Sequence, residues 1–249
     1  MIFRQLFEEL SSTYTYLIGC EETGLAVLVD PVYPAWERDL TEINRLGLSL
    51  KYSIETHIHA DHITSALKLK QETGSQIIFP VASQCECPDV RAEEGVPITF
   101  GSINLEPIFT PGHTDDHFCY QTGEKVLTGD ALLIDGCGRT DFQNGNVTEL
   151  YKSVREKLFV LPGDTLVYPG HDYNQRHVSS ILQEKQRNPR LGGDRSLSEF
   201  TEIMNKLNLP YPKFIAHAVP GNQKCGVCPP DLSEEMAAYC EQMTDSPQG

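Results

Sequence analysis

Positive charge is scarce in this chain: 20 lysines and arginines stand against 35 aspartates and glutamates, for a formal net charge of −15. So acidic a protein repels phosphate backbones and anionic headgroups, which argues against nucleic acid or membrane as a general partner. Long apolar runs are missing too. The longest, such as "LAVLVD" and "QIIF", fall far short of the roughly 20 residues that cross a bilayer as a helix. "MIFRQLFEEL" has acids by its eighth residue and no basic stretch leading into an apolar one, so it reads as a first strand and not a secretory leader. A soluble, cytoplasmic protein is expected. No fixed-period repeat and no linker rich in proline, glycine or serine interrupts the 249 residues, which suffice for one large domain with its own core. We expect a single domain over 1–249, with 176–243 a short helical and loop extension packed on it. For the same reason the eight cysteines are expected to be mostly reduced. Cys85 and Cys87 form one close pair and Cys225 and Cys228 another, with Pro229 and Pro230 following directly; these read as loop cysteines.

What the chain does contain is a succession of short β-type runs followed by helical ones. "TYTYLIG" and "GLAVLVD" flank the turn "CEET" and predict a hairpin. Trp36, Leu40, Ile43 and Leu46 have helical spacing, and Gly47 ends that stretch. "KYSIET" predicts a strand, then "ITSALKLKQETG" a helix, then strands at "QIIFP", "PITFG", "INLEPIFT", "DHFCYQTG", "KVLTGD" and "TLVYPGH". Further helices are expected from Val147 to Leu158, over "QRHVSSILQEKQR" and over "LSEFTEIMNKLN". Strands followed by helices, twice over, suit two packed sheets with helices on the outer faces.

The chemistry is concentrated in "ETHIHADHIT", where His57, His59, Asp61 and His62 fall within six residues. His57 and His59, two apart at the end of a strand, project to the same side. Imidazole and carboxylate suit zinc, iron or manganese. Three later strand ends each present a glycine and then another such group: "TPGHT" gives His113, "LTGDA" Asp130 and "YPGHDY" His171. Glycine permits the tight turn that aims each side chain into a shared pocket. His117, His177 and His217 are expected to be packing or surface groups.

This set resembles the metallo-β-lactamase superfamily, whose pattern is HxHxDH followed by a distant His, Asp and His. The resemblance implies an α+β fold, a four-layer αββα sandwich with a metal site at one edge of its sheets. In two-metal members the residues matching His57, His59 and His113 hold one ion, those matching Asp61, His62 and His171 the other, and Asp130 bridges. "GCGRTDF" and "AVPGNQKCGV" make the chain more specifically similar to the persulfide dioxygenase (ETHE1-like sulfur dioxygenase) family. That resemblance implies one iron(II) per chain, held by His57, His113 and Asp130, with His59, Asp61, His62 and His171 around it orienting ligands and exchanging protons. It also implies oxidation of glutathione persulfide by O2 and water to sulfite and glutathione, and a homodimer. The alternative is a glyoxalase II-type binuclear hydrolase of glutathione thioesters, a family that normally carries a longer carboxy-terminal helical region. Arg139 is a candidate to grip a substrate carboxylate, or else pairs with Asp141. Tyr173 is a candidate substrate contact, or packs. Asp172 is expected to fix its loop, and Lys224 and Cys225 to close the pocket.

Overall fold

The structure, a computed structural model, describes residues 1–227. Twelve strands form two six-stranded sheets in spatial orders β1-β2-β3-β4-β5-β6 and β12-β11-β10-β9-β8-β7. The first comprises β1 (Ile2–Glu8), β2 (Thr13–Cys20), β3 (Leu25–Val29), β4 (Ser49–Ile54), β5 (Gln76–Pro80) and β6 (Val90–Ala92). The second comprises β7 (Ile98–Phe100), β8 (Ile103–Phe109), β9 (Phe118–Thr122), β10 (Lys125–Gly129), β11 (Leu166–Pro169) and β12 (Ser179–Ser180). Helices α1 (Trp36–Arg45), α2 (Ala66–Thr73), α3 (Val147–Lys152), α4 (Ile181–Arg187), α5 (Leu197–Asn205) and α6 (Ile215–Asn222) complete it, α3 continuing as a wider turn over Ser153–Leu158. No helix among the described residues is long and apolar enough to cross a membrane.

Period-two alternation explains how nearly every residue of β2 and β3 is buried without a break in the pattern. Tyr14, Tyr16, Ile18, Val27 and Val29 point between the sheets, where they meet Phe100, Leu105, Phe118, Tyr120 and Leu127. The intervening Leu17, Ala26 and Leu28 point outward against Ile43 of α1 and Leu69 of α2. On the other side, Val126 and Val167 turn away from the seam to meet Leu150, Ile181 and Phe200 under α3 to α5. Apolar side chains on both faces of each sheet thus produce the αββα layering. Phenols reach across the seam to backbone acceptors: Tyr16 donates to the Pro169 carbonyl at 2.6 Å and Tyr120 to that of Glu55 at 2.9 Å. Without such partners a buried hydroxyl would cost about 1–3 kcal/mol.

The predicted helix over "QRHVSSILQEKQR" forms only from Ile181. Ser179 and Ser180 pair with β11, and the Ser180 hydroxyl caps α4 by accepting from Gln183 N–H. Serine competes well for strand ends and N-caps, which shortens the helix. His177, expected inside that helix, has φ +66 in the preceding loop, where its N–H donates to Asp172 at 2.6 Å. Asp172 thus fixes the loop as expected. Helix α6 was not predicted, because Pro220 lies within it. Helices α4 and α5 of the expected extension are part of the outer layer on the second sheet; its residues 228–243 lie outside the described ones, as does Cys228.

One buried acid gives α1 a pH signature. Asp39 is fully buried beside Arg38, whose Nη2 lies 2.8 Å from its Oδ1. Burial pushes its carboxyl up to about 6 against the pull of Arg38. The folded state therefore holds an extra proton between about pH 4 and 6, and stability falls as pH rises through that window. Asp39→Asn should leave stability unchanged at the lower pH and raise it at the upper by about 2–3 kcal/mol, as read from urea denaturation at the two values.

Candidate metal centre

Strands β3, β4 and β5 run parallel, so their carboxyl ends open on the same edge. Asp30, directly after β3, is buried and left-handed at φ +51. Its Oδ1 accepts from Thr56 N–H at 2.7 Å and its Oδ2 from the Thr56 hydroxyl at 2.9 Å. With that hydroxyl proton committed to Asp30, Thr56 Oγ1 can only accept from His57 Nδ1, 2.9 Å away. His57 is thereby fixed in the tautomer that leaves Nε2 with a lone pair.

The same device recurs around the site. His113 Nδ1 donates to the Arg139 carbonyl at 2.7 Å, His171 Nδ1 to the Ser12 carbonyl at 3.1 Å, and His62 Nδ1 to Asp61 at 2.9 Å. His59 is held the other way round, its Nε2 lying 3.1 Å from Asp30 and 3.4 Å from Glu55. Each ring is gripped through one nitrogen and presents the other. Among the described residues His59 Nδ1, His62 Nε2 and Asp130 Oδ1 are buried with no hydrogen-bond partner. Three polar atoms without a partner in one pocket would be costly unless a cation occupies it, displacing any proton on His59 Nδ1. The donor set fits a metal.

All seven residues converge. Ligand atoms of His57, His113 and Asp130 lie within 4.8 Å of one another, as do those of His59, Asp61 and His62. His171 joins the groups, its Nε2 lying 3.5 Å from Asp61 and 3.6 Å from Asp130. Burial and the surrounding imidazoles hold His57 well below the usual histidine range, so it is neutral. Burial would lower His59 as well, but Asp30, Glu55 and Asp61 outweigh it and hold its pKa well above. Asp61, despite burial, is kept well below the usual carboxylate range by His62 and His171.

Glycine is required where the strand ends crowd the ligands. Gly112 has φ +135, and a Cβ there would lie 2.2 Å from Leu150 N; one at Gly170 would lie 2.7 Å from Asp130 Oδ1. Gly170→Ala should therefore displace the Asp130 carboxylate and weaken metal binding about tenfold or more, measured by competition with a chelating dye. Retention of full affinity would show that Asp130 has room to move.

Three contributors were not read from the sequence. His117, expected to be a packing group, accepts the Asp130 backbone N–H at its Nε2, 3.0 Å away, and its Nδ1 pairs with the Thr110 hydroxyl at 2.9 Å. Asp30 is the second. Asn222 at the end of α6 is the third: its amide donates to the His59 and His62 carbonyls at 2.9 and 2.8 Å and accepts from Thr64 N–H at 2.9 Å. The only signal was that "AVPGNQKCGV" had marked this segment for its resemblance.

The remaining candidates are distributed unevenly. The Arg139 guanidinium pairs with both oxygens of Asp141 at 2.6 and 2.7 Å, while its carbonyl holds His113. The Tyr173 ring stacks on His171, centroids 5.8 Å apart, and is 71% exposed, over a cavity of about 180 Å³ also lined by Asn174, Arg176 and Arg190. Cys225, expected at the pocket mouth, is instead fully buried and bonded to Cys87, an exception to the expectation of reduced thiols; Cys20, Cys85, Cys119 and Cys137 are free.

The family model for the metallo-beta-lactamase superfamily matches residues 9–171, and the chain belongs to that superfamily. Persulfide dioxygenase ETHE1, mitochondrial, of Homo sapiens is 47% identical over 233 residues, covering 92% of this chain and 91% of that protein. The crystal structure of ETHE1 from Myxococcus xanthus has a TM-score of 0.89 at 51% identity, covering 91% of this chain and 100% of that one. Within the superfamily, then, the chain belongs to the persulfide dioxygenase family. A hydroxyacylglutathione hydrolase of Rhodospirillum rubrum is more distant, 34% identical over 186 residues, 73% of this chain and 71% of that protein.

Proposed function

We infer that this protein is an iron-dependent persulfide dioxygenase, converting glutathione persulfide, O2 and water to sulfite and glutathione. The observation that carries the reading is the grouping of two imidazoles and one carboxylate, His57, His113 and Asp130, in a chain similar almost end to end to ETHE1 proteins. These three would hold the metal, one per chain. Bound iron(II) would supply a redox change, which zinc cannot, together with open positions for thiol and dioxygen.

The chain's own residues do the rest. Thr56 and the Arg139 carbonyl keep the two imidazoles aimed with lone pairs inward, and His117 steadies Asp130 through its backbone. His171 can carry a proton on Nε2 between Asp61 and Asp130: burial lowers its pKa, but those two carboxylates more than offset this and raise it. Tyr173 shields the face of that ring from water. Arg139 would exchange Asp141 for a glutathione carboxylate, keeping the two-pronged geometry. A cytoplasmic homodimer, acting without nucleic acid or membrane, completes the reading.

The second cluster, His59, Asp61 and His62, favours the one rival, a two-metal hydrolase of glutathione thioesters. Metal analysis of anaerobically purified protein, joined to oxygen uptake, separates the two. About one iron per chain with persulfide-dependent uptake is expected. Zinc in both clusters, thioester hydrolysis and no uptake would overturn the reading.

A further inference from the structure

A disulfide needs two cysteines, and here a third lies against it. Cys85 Sγ is 3.4 Å from Cys225 Sγ and 3.8 Å from Cys87 Sγ, the latter two being bonded to each other. Cys85 and Cys87 belong to the loop between β5 and β6, and Cys225 follows α6. The near-equal distances place Cys85 beside the bond, not on its extension, where a thiolate attacking either sulfur would have to be. Cys85 and Cys225 are buried, and all three sulfurs lie within 4.8 Å of one another.

Contacts other than the disulfide hold these segments together. Glu86 N–H donates to the Gln223 carbonyl at 2.8 Å and Leu67 N–H to that of Cys225 at 3.1 Å. Arg91 cinches the loop by donating to the carbonyls of Ser83 at 2.9 Å, Pro80 at 3.3 Å and Cys85. Opening the bond therefore leaves three thiols gathered. Sulfurs sharing a zinc-sized ion at about 2.3 Å stand about 3.8 Å apart, close to two sides of the triangle already present. Burial raises the Cys85 thiol pKa, only partly offset by backbone N–H groups of Cys87 and Cys225 and by Arg91, so it is the incoming cation that must displace the proton.

We propose that the reduced Cys85, Cys87 and Cys225 cluster is a second metal site, for a thiophilic closed-shell cation, zinc(II) or copper(I), and that the Cys87–Cys225 disulfide is its metal-free form. Three thiolates favour such ions over hard, oxygen-seeking cations, although zinc would suit the histidine centre too. Conversion consumes two electrons from a thiol or phosphine reductant and two protons, giving two thiols; the incoming ion then displaces the thiol protons to solvent. A bound ion would pin the end of α6, and with it the Asn222 amide that holds the His59 and His62 carbonyls.

The test uses full-length protein reduced under nitrogen with a phosphine. Cobalt(II) is added as a spectroscopic stand-in for zinc in one arm and copper(I) in another. Thiolate-to-metal charge transfer is expected in the near ultraviolet, a signature the histidine centre cannot give with nitrogen and oxygen ligands. A cobalt band displaced by zinc assigns zinc, and a band with copper(I) alone assigns copper. Cys85→Ser should weaken the band, and Cys85→Ser with Cys225→Ser should remove it. In wild-type protein, saturating metal should slow maleimide labelling of the three cysteines about tenfold or more, because a metal-bound thiolate is no longer a free nucleophile. No charge transfer with either ion, and labelling at the unprotected rate, overturns the proposal.

Discussion

Asp130→Ala is expected to lose its metal and to lower persulfide-dependent oxygen uptake at least about a hundredfold, the upper range seen even for partners outside the ligand set. The reason is local. The Asp130 carboxylate is the only group within reach of both His113 Nε2, at 3.5 Å, and His171 Nε2, at 3.6 Å, among the ion-pair contacts of the described residues. Its backbone, by contrast, is held independently of the side chain: the N–H donates to His117 and the carbonyl accepts from Gly138 N–H at 2.7 Å. The variant should therefore fold, and a thermal melt near that of the metal-free wild type would confirm it. Asp130→Asn keeps the shape but offers a neutral, weaker ligand, and should fall between the two. Unimpaired uptake by the alanine variant would sink the metal assignment.

Asp30→Ala should be the most damaging change to the folded state. It removes a buried carboxylate that accepts from Thr56 N–H, the Thr56 hydroxyl and His59, stranding both Thr56 donors and leaving His59 Nε2 with Glu55 alone. Removing one member of such a buried charged set costs about 3–5 kcal/mol. In a chain of this size that is a fall in Tm of roughly 6–20 °C, measurable by calorimetry on metal-free protein. Asp30→Asn should cost less, since its carbonyl oxygen can still accept from Thr56 N–H and asparagine tolerates the left-handed backbone. Equal melting temperatures for wild type and Asp30→Ala would refute this account.

The two damaging sites differ in how they could be found. Asp130 was visible because it stands at the end of a β-run, after a glycine, in series with His113 and His171. Polar ligands at strand ends interrupt an apolar pattern, and periodicity exposes them. The hairpin of β2 and β3 was legible for the same reason, as were α1 and strands β7 to β11 of the second sheet. Asp30 also ends a β-run, but its partner Thr56 is 26 residues away, and a lone aspartate before "PVYP" reads as a turn. The partners of Asn222 are about 160 residues away, and Pro220 hides the helix that carries it. His117 is separated from Asp130 by only 13 residues, yet which strand end it supports depends on how β9 and β10 pair. Side chains that hold other side chains leave no periodic trace; only the ligands do. The Cys87–Cys225 contact, 138 residues apart, was concealed in the same way.

His57, His59, Asp61 and His62 follow β4 of the first sheet, whereas His113, Asp130 and His171 follow strands of the second. The chain completes one sheet's strands before starting the other's, so neither half of the polypeptide contains a full ligand set. Metal acquisition is therefore a late event in the life of each molecule. A nascent chain that ends before β10 has one imidazole cluster and no Asp130, and cannot bring together the proposed set of His57, His113 and Asp130. An oxygen-reactive centre is thus withheld until its two walls have closed around it.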